Sequence, residues 1–186
     1  EPHVCGEGGT HLFEPDAGYV DPVDALQDLV DACRQAGVDV RFRSAVAAID
    51  VGNGRVRGVR LVDGGSIACG AMVNAAGPWC NALTESAGLT SAWPLRPTRI
   101  QVVHIDRPPE IAGEIPVTCD VPGGIYFRTQ NGGRQIIVGS ILEEDEREEV
   151  SDPDDFARYI DDDFGRRKLH ALQHRIPALS YRGVRG

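Results

Sequence analysis

Tyr126 and Arg128 are the residues whose types and spacing point most directly to binding chemistry. They stand two positions apart in Ile125–Thr129, a run that alternates as a β-strand does. Both side chains are therefore predicted on one strand face, with Ile125 and Phe127 on the other. A guanidinium binds a carboxylate through two parallel hydrogen bonds, and a neighbouring phenol hydroxyl adds a third. The pair suits a small carboxylate-bearing ligand, although Arg128 would equally serve as a surface arginine on a half-exposed strand.

A second stretch, Ala71–Trp79, loses its side chains where a short apolar strand is predicted to end. Ala75, Ala76 and Gly77 follow this strand, and Pro78 suits the first turn of the next helix. Small residues at the carboxyl end of a buried strand let a ligand approach the backbone, and open α/β sheets bind ligands beyond these strand ends. The stretch predicts either a backbone shelf for a flat or phosphorylated ligand or ordinary tight strand–helix packing.

The elements before this corner predict part of an α/β domain. Apolar residues recur at helical spacing from Pro22 to Ala36, with Asp21 as N-cap and Gly37 as stop. Val38–Phe42 alternates as a strand, and a helix–strand pair of this kind adds to a parallel sheet. Asn-Gly and Asp-Gly turns between the next alternating runs predict a three-stranded antiparallel meander. Its strands are expected over residues 45–51, 56–62 and 66–69.

The second half of the chain predicts an antiparallel sheet with helices. After residue 91 the sequence changes to prolines and long alternating runs, and Glu143–Glu149 reads as a solvated acidic loop. Two helices are predicted over Asp152–Phe164 and Arg166–Arg175, broken at Gly165. The remaining elements are a helix over residues 78–87 and strands over residues 95–105, 117–120, 125–129, 135–139 and 179–184.

Composition excludes several classes of function. The 186 residues carry a formal charge of −9, whereas nucleic-acid binding needs a basic face. No apolar run reaches the roughly 20 residues that span a bilayer. The five cysteines form no C-x-x-C pair, which argues against a disulfide framework or zinc ribbon and favours reduced thiols in the cytoplasm. They are Cys5, Cys33, Cys69, Cys80 and Cys119.

Two further patterns carry little chemistry. Gly6, Gly8 and Gly9 lack the G-x-G-x-x-G spacing of a dinucleotide loop and read as a flexible loop. His170 and His174 stand at the i, i+4 spacing of a metal chelate, but no third ligand accompanies them. No metal site is therefore predicted.

Three segments carry a resemblance to one flavoprotein superfamily, that of D-amino-acid oxidase, glycine oxidase and sarcosine oxidase. Val73–Trp79 resembles its V-(V/N)-A-A-G-x-W segment, which lies beside the FAD. Glu14–Pro22 is similar to the E-P-D-A-G-Y-x-D-P entry of sarcosine- and dimethylglycine-type members. Gly124–Arg128, followed by Gly133–Gly139, looks like the hairpin that roofs the flavin ring, where the tyrosine lies near the substrate.

The resemblance implies a fold class of α/β plus α+β, in which a partial two-dinucleotide-binding domain accompanies a mostly antiparallel substrate-domain sheet. Residues 22–90 would be the partial FAD-binding domain, with parallel strands and the meander, and residues 1–21 and 91–186 the substrate-binding portion. Val46 would offer its backbone to the adenine, and Arg99 and Gln101, on one face of their strand, would contact the isoalloxazine side. The alternative for Arg99 and Gln101 is that both are solvent-facing polar residues without a role in binding. Other FAD contacts are expected at Ala75, Ala76, Gly77 and Trp79.

The implied activity is oxidation of a C–N bond in a small amine or amino acid, by hydride transfer to flavin N5 and hydrolysis of the resulting imine. A non-catalytic relative, acting as an assembly factor or ligand-binding module, is the alternative. The G-x-G-x-x-G segment of the family and its carboxyl-terminal segment are not found in this sequence. We therefore expect a piece of a longer protein that alone binds FAD weakly or not at all, is inactive, and self-associates through exposed edges and apolar faces.

Overall fold

The computed structural model describes residues 4, 6 and 9–186, so the predictions that involve Cys5 and Gly8 lie outside the described residues. Contacts divide the chain into two units. The first, called here the 20–97 unit, comprises residues 20–97. The second comprises residues 98–186 and residues 1–19 and is called the 98–186 unit.

The 20–97 unit begins with the predicted amphipathic helix, α1 (Pro22–Gln35). The Asp21 carboxylate caps it by accepting from the Val23 backbone N–H at 2.8 Å. Gly37 follows the helix at φ +81°, a conformation that glycine adopts without strain. The prediction of this helix and both of its ends is confirmed.

The meander is also confirmed. Strands β1 (Val46–Gly52), β2 (Arg55–Leu61) and β3 (Ser66–Ala68) pair antiparallel in that order. Asn53 and Gly54 both have positive φ, as a tight hairpin turn between two strands requires. Helix α2 (Cys80–Ser86) follows a 3₁₀ turn at Gly77–Trp79, close to the predicted helix over residues 78–87.

The parallel strands predicted for this unit are wrong. Neither Val38–Phe42 nor Ala71–Asn74 forms a strand, and both sheets of the described residues contain only antiparallel pairs. A strand requires a neighbour for its backbone hydrogen bonds, and no described strand pairs with either segment. The alternating sequence pattern was therefore not sufficient to form a strand here.

The 98–186 unit is built on a five-stranded antiparallel sheet. Its strands are β4 (Val102–Asp106), β5 (Thr118–Asp120), β6 (Ile125–Gln130), β7 (Gln135–Ser140) and β8 (Arg182–Arg185). Their order in the sheet is β5-β6-β7-β4-β8. The strand predicted over residues 95–105 is formed only in its second half, and before it Thr98 makes just an isolated bridge to Glu149.

One helix, α3 (Asp162–Arg175), covers one face of this sheet, and the two-helix prediction is wrong. Gly165 lies inside α3 despite its low helix propensity, because α3 packs on the sheet through side chains such as Phe164, Leu169 and Leu172. The core lies between α3 and the sheet and includes Phe127, Val103 and Leu172, all 0% exposed. The sheet face that points away from α3 is free of this core and carries the candidate site.

The acidic run over Glu143–Glu149 was predicted to be a solvated loop, but one of its carboxylates is buried. Asp145 sits in a 3₁₀ turn at Glu143–Glu146, and its side chain is only 6% exposed. Its carboxylate accepts from Lys168 Nζ at 2.7 Å, Arg167 Nη2 at 2.8 Å and Ser140 Oγ at 2.6 Å. Burial alone would raise the pKa of Asp145, but these hydrogen bonds outweigh it and hold that pKa well below its usual range. The network ties this loop to α3 and to the end of β7.

Candidate functional site

The sheet face opposite α3 brings Tyr126 and Arg128 together, as the alternation predicts. Cross-strand partners share a face, and both Arg128 and His104 pair with Ile137, so these three side chains form one row. Tyr126 belongs to the adjacent row through its pairing with Gly139. Both predicted site residues are half-buried, in contrast to the fully buried strand residues on the other face.

Tyr126 lies flat on the backbone of β7. A Cβ atom at Gly139 would collide with the ring and the hydroxyl of Tyr126, so only glycine leaves room for the phenol in this position. The glycine is buried beneath the ring. The sequence therefore fixes the direction of the Tyr126 side chain through a residue on the neighbouring strand.

Arg128 is held by Tyr19, a site residue that the sequence analysis did not identify. The guanidinium carbon lies 4.3 Å from the centre of the Tyr19 ring, a cation–π distance, and Arg128 Nη1 donates to the Thr129 carbonyl at 3.0 Å. Tyr19 Oη donates to the same carbonyl at 3.1 Å. Among the described residues, the Thr129 carbonyl is the single hydrogen-bond partner of the Arg128 guanidinium. Most of the five N–H donors of Arg128 are therefore left for a ligand.

His104 is the second residue that sequence reasoning missed. It alternates with Val103 and Ile105, both 0% exposed, so the strand pattern placed it on the polar face. Its cross-strand partners are Ile137 on β7 and Arg185 on β8. Partial burial, together with the charges of Arg185 and Arg128, lowers the pKa of His104 below its ordinary value.

A cavity of about 1000 Å³ lies within the 98–186 unit, and Tyr126, Arg128 and His104 are not among the residues that line it. Tyr19 and Thr129 line it, and residues 10–18 and 113–119 form much of its wall. Cys119, the cross-strand partner of Tyr126, is also part of the lining. The cavity is large enough for an amino-acid-sized ligand.

The structure places Arg99 and Gln101 apart from Tyr126 and Arg128. Arg99 is 5% exposed, and its guanidinium donates to the carbonyls of Ala157 and Tyr159 and to the carboxylates of Glu148 and Asp161. Gln101 Nε2 donates to the same Asp161 carboxylate at 2.8 Å. Both side chains thus hold the segment before α3 in place. Arg99 is buried, so it is not in the solvent-facing position that was the alternative for it. Contact of either residue with the flavin stays a prediction.

In the 20–97 unit, Asn74 organises the corner at Ala75–Gly77. Its Nδ2 donates to the Cys80 carbonyl at 2.9 Å and to Thr84 Oγ1 at 3.2 Å, and its Oδ1 accepts from the Ala76 N–H at 3.3 Å. The asparagine therefore ties the corner to α2 by two hydrogen bonds and holds the corner itself by a third.

The corner itself is open to a ligand on the side of Gly77. Gly77 has φ +54°, and no atom of the described residues lies within 4 Å of the position that a Cβ would take. Ala75 and Gly77 are exposed, and Trp79 is 46% exposed. These exposed backbone groups fit the close approach of a nucleotide, as the small residues suggest.

Val46, the predicted adenine contact, starts β1 at an irregularity. The register between β1 and β2 shifts between Val46 and Ala48, so one residue of β1 is left without a cross-strand partner. The half-buried Val46 is thus placed where the strand ladder is interrupted and backbone groups are available. Further along β1, the Ile49 N–H donates to Ser86 Oγ at 3.0 Å and links the meander to α2.

The two histidines of α3 lie side by side, with 3.2 Å between their Nε2 atoms. No group of three His, Cys, Asp or Glu side chains among the described residues could hold a metal ion.

Four cysteines within residues 9–186 are free thiols, namely Cys33, Cys69, Cys80 and Cys119. No helix in the described part of the chain has the length and apolar character needed to cross a membrane.

Comparison with known proteins identifies relatives that span more than this chain. The hydrogen cyanide synthase subunit HcnC of Pseudomonas protegens is 28% identical over 145 residues, which are 77% of this chain and 33% of the relative. The chain thus spans about a third of that curated relative.

Several solved structures share the fold, including a proline dehydrogenase and a glycine oxidase. An L-proline dehydrogenase from P. horikoshii superposes with a TM-score of 0.72 at 22% identity, over 89% of this chain and 42% of that one. A glycine oxidase from Bacillus cereus gives a TM-score of 0.60 at 17% identity, over 86% of this chain and 41% of that one.

The family model described as "FAD dependent oxidoreductase" matches residues 1–185, nearly the whole chain. This match agrees with the resemblance of Val73–Trp79, Glu14–Pro22 and the β6–β7 hairpin. The chain belongs to the family of FAD-dependent oxidoreductases that includes D-amino-acid oxidase.

Proposed function

We propose that the full-length protein oxidises the C–N bond of a small amino acid or amine, with Arg128 and Tyr126 binding the substrate carboxylate. The observation that carries the proposal is the half-buried Arg128, which keeps most of its donors available on a preformed polar face. The solved neighbours are named for oxidation of proline and of glycine, both of which carry a carboxylate next to the amine. The same chemistry is proposed here for a substrate of that class.

The physical basis is charge complementarity on a rigid support. Stacking on Tyr19 and the hydrogen bond to Thr129 restrict the rotation of Arg128, so less side-chain entropy is lost when a carboxylate binds. The phenol of Tyr126, fixed over Gly139, adds a donor on the same face. The arrangement orients a small zwitterion by its carboxylate and leaves its amine to other residues.

The 20–97 unit would supply part of the FAD site. Three features of this unit fit a nucleotide: the open backbone at Ala75 and Gly77, the exposed Trp79, and the interrupted strand ladder at Val46. When bound, FAD supplies the hydride acceptor for C–N oxidation. Residues 22–90 are proposed as the FAD-binding part, and residues 1–21 and 91–186 as the substrate-binding part.

Arg99 and Gln101 would support this function by fixing the segment before α3, and their contact with the flavin remains a proposal. The cytoplasm is the proposed compartment, in keeping with free thiols at the described cysteines. No nucleic acid is proposed as a partner, because the net charge is −9.

The test is flavin reduction by the full-length, FAD-loaded protein under anaerobic conditions, with a panel of amino acids and matched amines that lack the carboxylate. Arg128→Gln should weaken amino-acid binding about 10- to 100-fold and leave the carboxylate-free amines within about twofold. Arg134→Gln is the matched control, because Arg134 lies exposed in the β6–β7 turn and its side chain hydrogen-bonds only to Asn131 among the described residues.

Two results would contradict the proposal. An equal loss for amino acids and amines would show that Arg128 does not bind the carboxylate. The absence of any amine-dependent reduction by the parent protein would favour the alternative of a non-catalytic relative.

The isolated chain of 186 residues should retain no stoichiometric FAD through purification, which visible absorbance measures directly.

A further inference from the structure

We infer that His104 is a further residue of the substrate site, where its imidazole accepts the proton that an amino-acid substrate loses from its ammonium group. This inference rests on the proposed function and extends it from the carboxylate to the amine. It is carried by the place of His104 on the same sheet face as Arg128 and Tyr126.

The strand register sets the distance between the two groups. Arg128 and His104 lie on either side of Ile137, two strand spacings apart, so their backbones are separated by about 10 Å. Ile137 is 6% exposed although no helix packs on this face among the described elements, so neighbouring side chains cover it. A zwitterion anchored at Arg128 therefore directs its amine along a row whose next polar side chain is His104.

The surroundings of His104 keep its imidazole neutral. Arg128 faces it from β6, Arg185 from β8 and the apolar Ile137 from β7. On its own strand, Asp106 is paired with Arg185 at 2.6 Å. With partial burial and two cations nearby, the pKa of His104 is lowered, so a nitrogen lone pair is available at neutral pH.

Substrate binding would make this imidazole a stronger base. A carboxylate on Arg128 offsets one of the two positive charges that disfavour protonation of His104. One N–H bond of the substrate ammonium then breaks, one N–H bond of imidazolium forms, and the imidazolium later releases this proton to solvent. The neutral amine keeps the lone pair that C–N oxidation requires.

Other acceptors on this face are less suitable. The Tyr126 hydroxyl is a weaker proton acceptor than imidazole, and the Asp106 carboxylate is engaged by Arg185. His104 is the group whose neutral form combines a free lone pair with a position in the Arg128 row. The assignment makes it a proton acceptor with a defined pH dependence.

The first test compares His104→Gln with the parent in the full-length, FAD-loaded protein. Anaerobic single-turnover reduction by the best amino acid is followed from pH 6 to 10. We expect a loss of about 100-fold at pH 7 that recovers to within about threefold at pH 10, where the substrate amine is itself neutral. His174→Gln, an exposed imidazole on α3, should leave the profile unchanged.

A second readout needs no turnover. α-Aminoisobutyrate has no hydrogen on its α-carbon and cannot be oxidised, so its binding isolates the proton step. Calorimetry at pH 7.5 in two buffers of different ionisation enthalpy counts the protons released. The parent should release about one proton per ligand, because the amine binds in its neutral form and the weakly basic His104 passes the proton on to solvent, whereas His104→Gln should release close to none, because the bound ammonium stays protonated.

The outcomes separate the two proposals. If the parent reduces its flavin with amino acids but His104→Gln keeps both its pH profile and its proton count, the role of His104 is refuted and the proposed function stands. If the parent shows no amino-acid-dependent reduction, the proposed function fails. Retained flavin absorbance and an unchanged melting temperature of His104→Gln exclude misfolding as the cause of a loss.

Discussion

The two units of the chain differ in how they are stabilised. Among the described residues, the hydrophobic core of thirteen buried side chains lies within residues 103–179, in the 98–186 unit. In the 20–97 unit Ala48 is the single buried hydrophobic residue, and α1 buries none of its side chains. Leu26 and Leu29 of that helix are 60% and 64% exposed.

The difference shows which parts of the chain hold themselves in place. In the 98–186 unit, α3 and the sheet enclose apolar side chains, and two buried aspartates add ion pairs to α3. Asp120 accepts two hydrogen bonds of 2.7 Å from Arg175, and Asp145 pairs with Lys168. In the 20–97 unit the order comes from local caps, hairpin turns and the hydrogen bonds of Asn74. The sheet face that carries Tyr126 and Arg128 is thus supported by a core, whereas the corner at Ala75–Gly77 is supported by local polar contacts.

The largest expected effect comes from truncating a side chain of the core that supports the sheet face of Tyr126 and Arg128. Phe127→Ala should lower the free energy of unfolding of the 98–186 unit by about 4 kcal/mol, because it leaves a cavity under β6. Leu26→Ala on exposed α1 should cost less than about 0.5 kcal/mol. Urea unfolding combined with amide hydrogen exchange measures both. Equal losses for the two variants would contradict the contrast between the units.

A somewhat smaller loss is expected from breaking the buried ion pair. Asp145→Ala leaves Lys168, 3% exposed, without its carboxylate and should cost about 3 kcal/mol. The double variant Asp145→Leu/Lys168→Met should recover most of this loss, because it removes both buried charges. Thermal and urea unfolding give the comparison. A double variant as unstable as the single one would show that packing around Asp145, and not the unpaired lysine, sets the cost.

The loss of folding stability on acidification should be smaller than either of these losses, and it should again concern the 98–186 unit, which contains the two buried aspartates. The pKa values of Asp145 and Asp120 are lowered by their hydrogen bonds in the folded state. A lowered folded-state pKa gives a contribution that is fully present above the unfolded value, about 3.9, and is lost as the pH falls toward the folded value. Stability of the 98–186 unit should therefore fall between about pH 4 and 2, and Asp145→Asn should flatten this slope. A variant with the parent's acid slope would exclude Asp145 as its source.

The sequence predicted best where local rules decide the structure. Asp21 and Gly37 set the ends of α1 by capping and by positive φ, and the Asn53-Gly54 turn sets the β1–β2 hairpin. Alternation placed Tyr126 and Arg128 on one face because the period of a strand is two residues. These predictions needed no knowledge of distant parts of the chain.

Predictions failed where distant contacts decide the outcome. Val38–Phe42 has the alternation of a strand but no described strand to pair with, and Gly165 stays helical because α3 packs on the sheet. Arg99 is buried by carbonyls and carboxylates about 50 to 60 positions away, which no local pattern reveals. His104 was within reach of sequence reasoning, because it stands between two apolar residues in a predicted strand.

The smallest change in folding stability, with a measurable change in association, is expected at the exposed face of α1. The predicted self-association would use this apolar face, since Val23, Leu26 and Leu29 are all more than half exposed. Leu26→Lys should change the free energy of unfolding by less than about 0.5 kcal/mol and should lower the weight-average mass that light scattering gives at high concentration. Gln27→Lys adds the same charge beside this face and should leave the mass as it is. A parent chain that is already monomeric at high concentration would show that the exposed face of α1 does not drive association, and the contrast between the two units would then concern folding stability alone.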